Sequence, residues 1–347
     1  MTFSWPELTS RVISGSDLTS AETAWAMDQV MGGGTSPVVL AGFLTALATK
    51  GESVEELAGL ADSMLAHAQT VDAPRDSLDI VGTGGDRART VNISTMAAIA
   101  IAGAGVTVVK HGNRASSSAS GSADPLEALG VDLTLDRDAV GRAATDVGIT
   151  FLFANLFHPS MRYAAPTRRE LGIATSFNLL GPLTNPARPR ASAVGVSSAR
   201  HAPLVAGVFA GRGASALVFR GQTGLDELTT VAPNDVWEVR DGAITHQVID
   251  ATNFNIPRAT LDDLRGADPA YNAEVAQRVF DGEEGIIFDT VMLNAAAGLV
   301  AAADDAEGSL AERLSAACER VSDSVRAGDA RRVLERWIDF NRENAAS

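Results

Sequence analysis

The chain predicts an α/β protein with a small all-helical lobe and a larger lobe built on a mostly parallel central sheet flanked by helices. Apolar spacing is helical from Trp5 to about Gln69, and a polar, hinge-like linker follows at residues 71–77. Beyond it, short apolar runs alternate with helical stretches, the pattern of a parallel sheet. With 347 residues, 46% apolar and 20% charged, the chain can bury a sizeable core and is expected to divide into two lobes.

In the helical part, Leu18-Thr-Ser-Ala-Glu22 reads as a capped helix start, Ser36-Pro37 as a second, and Ser53-Val-Glu-Glu56 as a capping box. Strands are expected at 78–81, 106–109, 149–153, 191–196 and 216–219. Residues 227–249 alternate, with turns at Pro233-Asn234 and Asp241-Gly242, and predict an antiparallel meander attached to that sheet. From Asp268 onward the pattern is helical again.

The first strand opens directly onto Gly82-Thr-Gly-Gly-Asp86, whose glycines can take positive φ or let the backbone approach a ligand. An alanine-rich helical run begins at Met96, which puts Ser94 or Thr95 near its N-cap. A glycine nest beside a helix N-terminus favours phosphate or pyrophosphate, although a plain strand-to-helix turn reads the same way locally. Walker A is excluded because its Gly-Lys-Ser/Thr ending is missing, and the dinucleotide fingerprint because Arg87 stands at its third glycine. Gly211-Arg-Gly213 follows a helical pattern and leads into a strand, the reverse of the fingerprint's order, so it reads as a helix-ending turn.

A net charge of −15 argues against nucleic-acid or anionic-membrane surfaces, while Lys110, Arg114, Arg168 and Arg169 leave a local basic pocket. The single cysteine, Cys318, cannot form an internal disulfide, and the first residues lack a basic region followed by an apolar signal core. A cytoplasmic location is expected. The apolar runs 96–105 and 291–303 are too short to span a bilayer. Residues 113–124 are small and polar, as in a mobile lid or a plain linker. His67, His201 and His246 read as structural, and His158, beside Pro159, as a candidate lining of an aromatic pocket.

Six motifs taken in order, Gly82-Thr-Gly-Gly-Asp86, Asn92-Ile-Ser-Thr95, Lys110-His-Gly-Asn-Arg114, Arg168-Arg-Glu-Leu-Gly172, Asn178-Leu-Leu-Gly-Pro-Leu-Thr-Asn-Pro186 and Gly224-Leu-Asp-Glu227, resemble the anthranilate phosphoribosyltransferase family along nearly the whole chain. The resemblance implies the nucleoside phosphorylase class II/phosphoribosyltransferase-like fold. It also implies transfer of the 5-phosphoribosyl group from phosphoribosyl pyrophosphate to anthranilate in tryptophan synthesis. By the same resemblance Gly82, Gly84, Gly85, Asp86, Thr90, Asn92, Ser94, Thr95, Lys110 and Ser122 would hold phosphoribosyl pyrophosphate. Gly82, His111, Asn113, His158, Arg168, Gly181 and Pro182 would line the anthranilate site. Ser94, Asp226 and Glu227 would hold one or two magnesium ions. The small lobe would comprise residues 1–70 plus about 159–189, the large lobe 78–158 and 190–347, and a homodimer would form through the helical lobe, with the 38–44 stripe a candidate face that also suits core packing. Three positions depart from the family's usual pattern: Arg87 for glycine, Asn155 for proline and Ala119 for lysine.

The residue types suit that chemistry. Expulsion of pyrophosphate builds negative charge that backbone N–H groups, Lys110 and a divalent cation can stabilise. Magnesium takes few protein carboxylates, so Asp226-Glu227 fits, provided both lie in a turn and are not a solvated surface pair. Arg168 matches a carboxylate in two parallel hydrogen bonds, with Arg169 as competitor. His111 could accept the amine proton late in the reaction or simply orient the substrate, and no residue is firmly assigned as catalytic. The rivals are a pyrimidine nucleoside phosphorylase, which would not need the Asp226-Glu227 pair, and a non-catalytic nucleic-acid-binding relative, which should be basic.

Overall fold

The computed structural model describes residues 3–114, 120–305 and 307–345. Its chain begins with four helices, α1 (Trp5–Ile13), α2 (Ser20–Met31), α3 (Pro37–Lys50) and α4 (Val54–Ala66). Local chemistry sets their starts as expected. Thr19 and Ser53 form capping boxes with Glu22 and Glu56, and Ser36 caps α3 ahead of Pro37.

Then follow β1 (Leu78–Gly82), α5 (Ile93–Gly103), β2 (Val108–Gly112), α6 (Asp124–Ala128), α7 (Arg137–Asp146), β3 (Ile149–Phe153), α8 (Ala154–Phe157), α9 (Ala165–Leu171) and α10 (Phe177–Leu180). A 3-10 turn, Gly181–Leu183, continues α10 without a break. The chain continues through β4 (Ala191–Gly195), α11 (Ala202–Gly211), β5 (Ser215–Gly221), β6 (Asn234–Arg240) and β7 (Ala243–Ile249), and closes with α12 (Pro269–Phe280), α13 (Ile286–Ala302), α14 (Leu310–Arg326) and α15 (Asp329–Asn344).

Among the described residues, seven strands form one sheet in the order β3-β2-β1-β4-β5-β6-β7. The first five are parallel, and β6 and β7 extend β5 as an antiparallel meander. Strand order reverses direction between β1 and β4, so the loops leaving their carboxyl ends diverge and open a crevice there. Alternation along the strands splits the core. Ile80, Ala193, Leu217 and Phe219 face α5 and α13, whereas Val81, Val194, Val196 and Val218 join a cluster with α11 and the N-terminal helices. Ala164, Phe177, Leu180 and Leu183 belong to that second cluster, with α9 against α3 and α10 against α4.

Three expectations shift. α5 starts at Ile93 with Asn92 in the N-cap position, ahead of Ser94 and Thr95, and the Asn92 side chain bonds other segments without capping the helix. β2 runs later than its apolar stretch, over Val108–Gly112, because Lys110 and His111 are themselves buried and pair with β3. Residues 227–233 are not a strand: the Asn234 amide exchanges hydrogen bonds with the Thr229 backbone and turns the chain into β6. The Asp241-Gly242 hairpin turn appears as expected, both residues at positive φ (51° and 76°), as does the helix-ending turn at Gly213. Among the described residues no helix is long and apolar enough to cross a membrane.

Candidate active site

At the crevice between β1 and β4, the chain leaves β1 through Gly82 and turns at Gly84 and Gly85, with φ of +71° and +87°. The turn is fastened on two sides. Thr83 donates its N–H to Gly195 O at 2.9 Å and Gly84 to Asp226 Oδ2 at 2.6 Å, while Ser197 Oγ donates to Gly84 O at 3.0 Å. Arg87 and Arg89 take φ of 60° and 55°, so the departure from glycine at 87 preserves a left-handed backbone, at about 1 kcal/mol per residue. Asp86 accepts the Ala88 N–H at 3.0 Å, and Thr90 bridges Arg265, which holds the loop's far end against residues 264–266.

Asn92, at the N-terminus of α5, gathers three segments. Its amide donates to Gly121 O at 3.1 Å and accepts from Ser120 Oγ at 3.0 Å and from Asn272 Nδ2 at 2.8 Å. Thr95 donates to Ser122 O, and Ser122 Oγ donates to Asn113 O. The expected lid at 113–124 is thus anchored at both ends, while residues 115–119, Ala119 included, lie outside the described residues. Asn272, on α12, escaped the sequence reading, being 180 residues from its partner with no local signal.

Beneath the turn lies a charged cluster. Lys110, almost fully buried, donates to Ile80 O and, at 3.2 Å, to Ser94 Oγ. Asp79 accepts the His111 N–H at 3.1 Å and Asn185 Nδ2 at 2.8 Å, and burial pushes its pKa up to about 6. Asp226 and Glu227 sit in the turn after β5, Asp226 buried and Glu227 half-buried, which rules out a solvated surface pair. Burial, and then the Asp86 charge, raise Asp226 to about 7; burial and Asp226 hold Glu227 well above the ordinary carboxylate range. Burial lowers Lys110 against the pull of Asp79, Glu227 and Asp226. Negative charge therefore exceeds what one ammonium offsets, a condition a divalent cation relieves. Among the described residues no group of three or more His, Cys, Asp and Glu side chains could hold a metal unaided.

Across β2 lies a neutral, aromatic-lined region. His111 Nδ1 stands 3.1 Å from Gly181 O, so this nitrogen carries the proton and Nε2 presents a lone pair, buried and without a partner among the described residues. His158 Nε2 donates to Thr184 O at 2.9 Å, and the two imidazole rings lie 5.1 Å apart. Burial, then the neighbouring His158, lower His111 to about 3; burial lowers His158 to about 4, so both rings are neutral near pH 7. Arg168 lies 5.0 Å over the Phe177 ring, its pKa lowered by burial, with no carboxylate partner among the described residues; Arg169 is exposed. Phe177 opens α10 and Gly181 follows it, so one short helix links Arg168 to His111. Asn113 donates to Asn155 at 3.3 Å. Gly181 has helical φ (−48°), a Cβ there would meet nothing within 4 Å, and Pro182 beside it is buried.

Of the expected cations, Arg114 has its charge offset by an ion pair with Glu127 and is stacked on Phe153. His67, His201 and His246 pair with Asp28, Glu52 and Asp235, as structural histidines do.

Residues 74–331 match the glycosyl transferase family a/b domain and residues 6–68 its helical bundle domain. The chain is 58% identical over 338 residues to anthranilate phosphoribosyltransferase of Arthrobacter sp. (strain FB24), covering 97% of this chain and 96% of the relative. It superposes on the crystal structure of the Thermus thermophilus enzyme with a TM-score of 0.90 at 42% identity, covering 96% of this chain and 99% of that one. The Saccharomyces cerevisiae enzyme in complex with PRPP and Mg matches with a TM-score of 0.88 at 28% identity, and its complex with 4-fluoroanthranilate with 0.86 at 26%, each covering 98% of both chains. Matched over nearly its whole length at this identity, the chain belongs to the anthranilate phosphoribosyltransferase family of tryptophan-biosynthetic enzymes.

Proposed function

We propose that the crevice between β1 and β4 binds phosphoribosyl pyrophosphate and that the region around His111 and Arg168 binds anthranilate, whose amine attacks the anomeric carbon as pyrophosphate departs. The observation that carries this reading is the Asp226 carboxylate seated on the Gly82–Gly84 turn, with Glu227 beside the start of α5. The N–H groups of the turn beyond Gly84 would provide preorganised donors for phosphate oxygens, whereas those that open α5 are taken by Val91, Glu227 and Asn92. Asp86, Thr90, Asn92, Thr95 and Ser122 shape and hold this surface, and Lys110 supplies a point charge beneath it.

Ser94, Asp226 and Glu227 would hold magnesium, which when bound offsets charge on the pyrophosphate and the buried carboxylates. Two carboxylates with substrate oxygens and water completing the set suit this ion. Arg168, unpaired and half-buried, takes the anthranilate carboxylate in preference to Arg169. The lone pair at His111 Nε2 accepts a hydrogen bond from the amine. With a pKa near 3 the ring is a poor proton acceptor, which favours orientation over general-base catalysis. His158, Asn113, Gly181 and Pro182 complete that side.

The two-lobe division at 1–70 with 159–189 against 78–158 with 190–347 goes with the packing of α9 and α10 on the helical bundle. For a homodimer, α1 and α3 offer exposed Ile13 and Val38 and an apolar hollow of about 530 Å³ lined by Val12, Ala41, Gly42 and Ala46. Leu40, Phe43 and Leu44 of the same stripe are core residues. A cytoplasmic location goes with the single cysteine, half-buried with its thiol pushed up to about 12 by desolvation.

Anthranilate fluorescence, followed in the purified protein with phosphoribosyl pyrophosphate, tests the reading. The signal should fall only when protein, phosphoribosyl pyrophosphate and magnesium are all present. A flat trace from folded protein overturns it.

A further inference from the structure

Outside the groups that would touch substrate, the turn between α3 and α4 makes a close contact. Gly51 has φ +86°, and a Cβ there would lie 0.9 Å from Arg200 Nη2, which donates to Lys50 O at 2.9 Å. The Lys50-Gly51-Glu52 turn therefore lies under the Arg200 guanidinium, just ahead of α11, and its left-handed φ favours glycine at position 51. Glu52, 8% exposed, is delivered into the interior by that turn. Its Oε1 accepts the Ser176 hydroxyl at 2.7 Å and its Oε2 faces His201 Nε2 at 3.5 Å.

Ser176 stands at the N-cap of α10, yet its side chain makes no capping bond within that helix. A fully buried serine that forgoes its usual cap and points its hydroxyl at a carboxylate on another element fixes the helix from outside. What α10 carries matters. Its first residue, Phe177, lies under the Arg168 guanidinium at 5.0 Å, and the residue after it, Gly181, offers the carbonyl that sets the His111 tautomer at 3.1 Å. The Thr184 carbonyl, one turn further and tied back to Leu180, does the same for His158.

We infer that Glu52 is a positioning residue for the aromatic-acid site: through Ser176 it fixes the place of α10, and α10 in turn sets both Arg168 and His111. Glu52 thereby couples the α3–α4 turn to the geometry that receives the acceptor substrate, and leaves the pyrophosphate turn at Gly82 alone. The inference rests on the assignment of anthranilate to the Arg168 and His111 side.

Steady-state kinetics on Glu52→Ala, Glu52→Gln, Ser176→Ala and the Glu52→Ala/Ser176→Ala double variant test it, with Tm measured alongside. Glu52→Ala and Ser176→Ala should each raise KM for anthranilate about tenfold, the scale of one hydrogen bond to a charged group. KM for phosphoribosyl pyrophosphate should stay within about twofold, and the double variant should be no worse than either single one. Glu52→Gln, which keeps an acceptor for Ser176, should restore most of the affinity. A lower Tm with both KM values unchanged, or a parallel rise in both, overturns the inference. Ser176→Ala keeps the question decidable should Glu52→Ala fail to fold. Arg168→Gln separates the two levels. If it raises KM for anthranilate while the Glu52 and Ser176 variants do not, only the positioning role falls; if it leaves that KM unchanged, the site assignment falls and the inference with it.

Discussion

Asp226 occupies the space that a side chain on Gly82 would need: a Cβ at Gly82 would lie 2.2 Å from Asp226 Oδ2. The same carboxylate accepts the Gly84 N–H, and the Asp226 carbonyl oxygen would stand 1.6 Å from a Cβ on Gly195. Two strand-end glycines thus make room for one acidic residue, and the acid in turn fixes the glycine turn. Gly82→Ala should displace Asp226, destabilise the protein by about 1–3 kcal/mol as overpacking does, and abolish most turnover. Urea unfolding and the fluorescence assay read the two effects; full activity in Gly82→Ala would show that Asp226 need not sit on the turn.

The Asp226→Asn/Glu227→Gln variant removes charge and keeps shape. Raised folded-state pKa values mean that the ionised carboxylates oppose folding, increasingly so as pH rises through about 7 for Asp226. At pH 8 the double variant should therefore match or exceed the parent in Tm while losing magnesium-dependent turnover by about 100-fold or more. Retained turnover would end the metal assignment.

Gly181 offers the opposite case to Gly82. Its φ is helical and a methyl group would meet open space, so Gly181→Ala should stabilise the protein by about 0.4–1 kcal/mol through the unfolded chain. If anthranilate passes there, KM for anthranilate should nonetheless rise. A more stable variant with unchanged KM would remove Gly181 from the site.

Asp79 gives the stability curve a definite slope. Its pKa is about 6 in the folded protein against the ordinary 3.8, so the folded state binds the extra proton between these values. Its contribution is fully present below about pH 3.8 and is lost as pH rises through 6, about 3 kcal/mol in all. In Asp79→Asn that component of the slope should vanish, whatever the variant's absolute stability, because the amide does not titrate. Parallel curves for parent and variant between pH 4 and 7 would contradict the assignment.

Arg168 and Arg169 are adjacent in sequence but not equivalent in surroundings. Arg168→Gln should raise KM for anthranilate about 10- to 100-fold, the loss of charge-assisted hydrogen bonds, and Arg169→Gln should leave it near the parent's. Equal effects from the two would refute the choice between them.

What the sequence determined by itself is local. The capping boxes at Thr19 and Ser53, the glycine turn after β1, the hairpin at Asp241-Gly242 and the strand at Ile149–Phe153 all follow from steric and hydrogen-bonding preferences of neighbouring residues, which any stretch of chain expresses wherever it lies. The tertiary structure decided which of these features meet. Asp226 reaches Gly84 across 142 residues, Asn272 reaches Asn92 across 180, and Ser176 reaches Glu52 across 124. Arg114 looked like a site cation in sequence and is neutralised by Glu127 in space, while Lys110 and His111 lengthen β2 because burial with partners overrides their polarity. Such long-range pairings, and the pKa values, tautomers and solvent exclusion that come with them, leave no periodicity or motif in one chain. They arise only when the sheet's strand order brings distant loops to the same edge, where desolvation makes each charge depend on its neighbours.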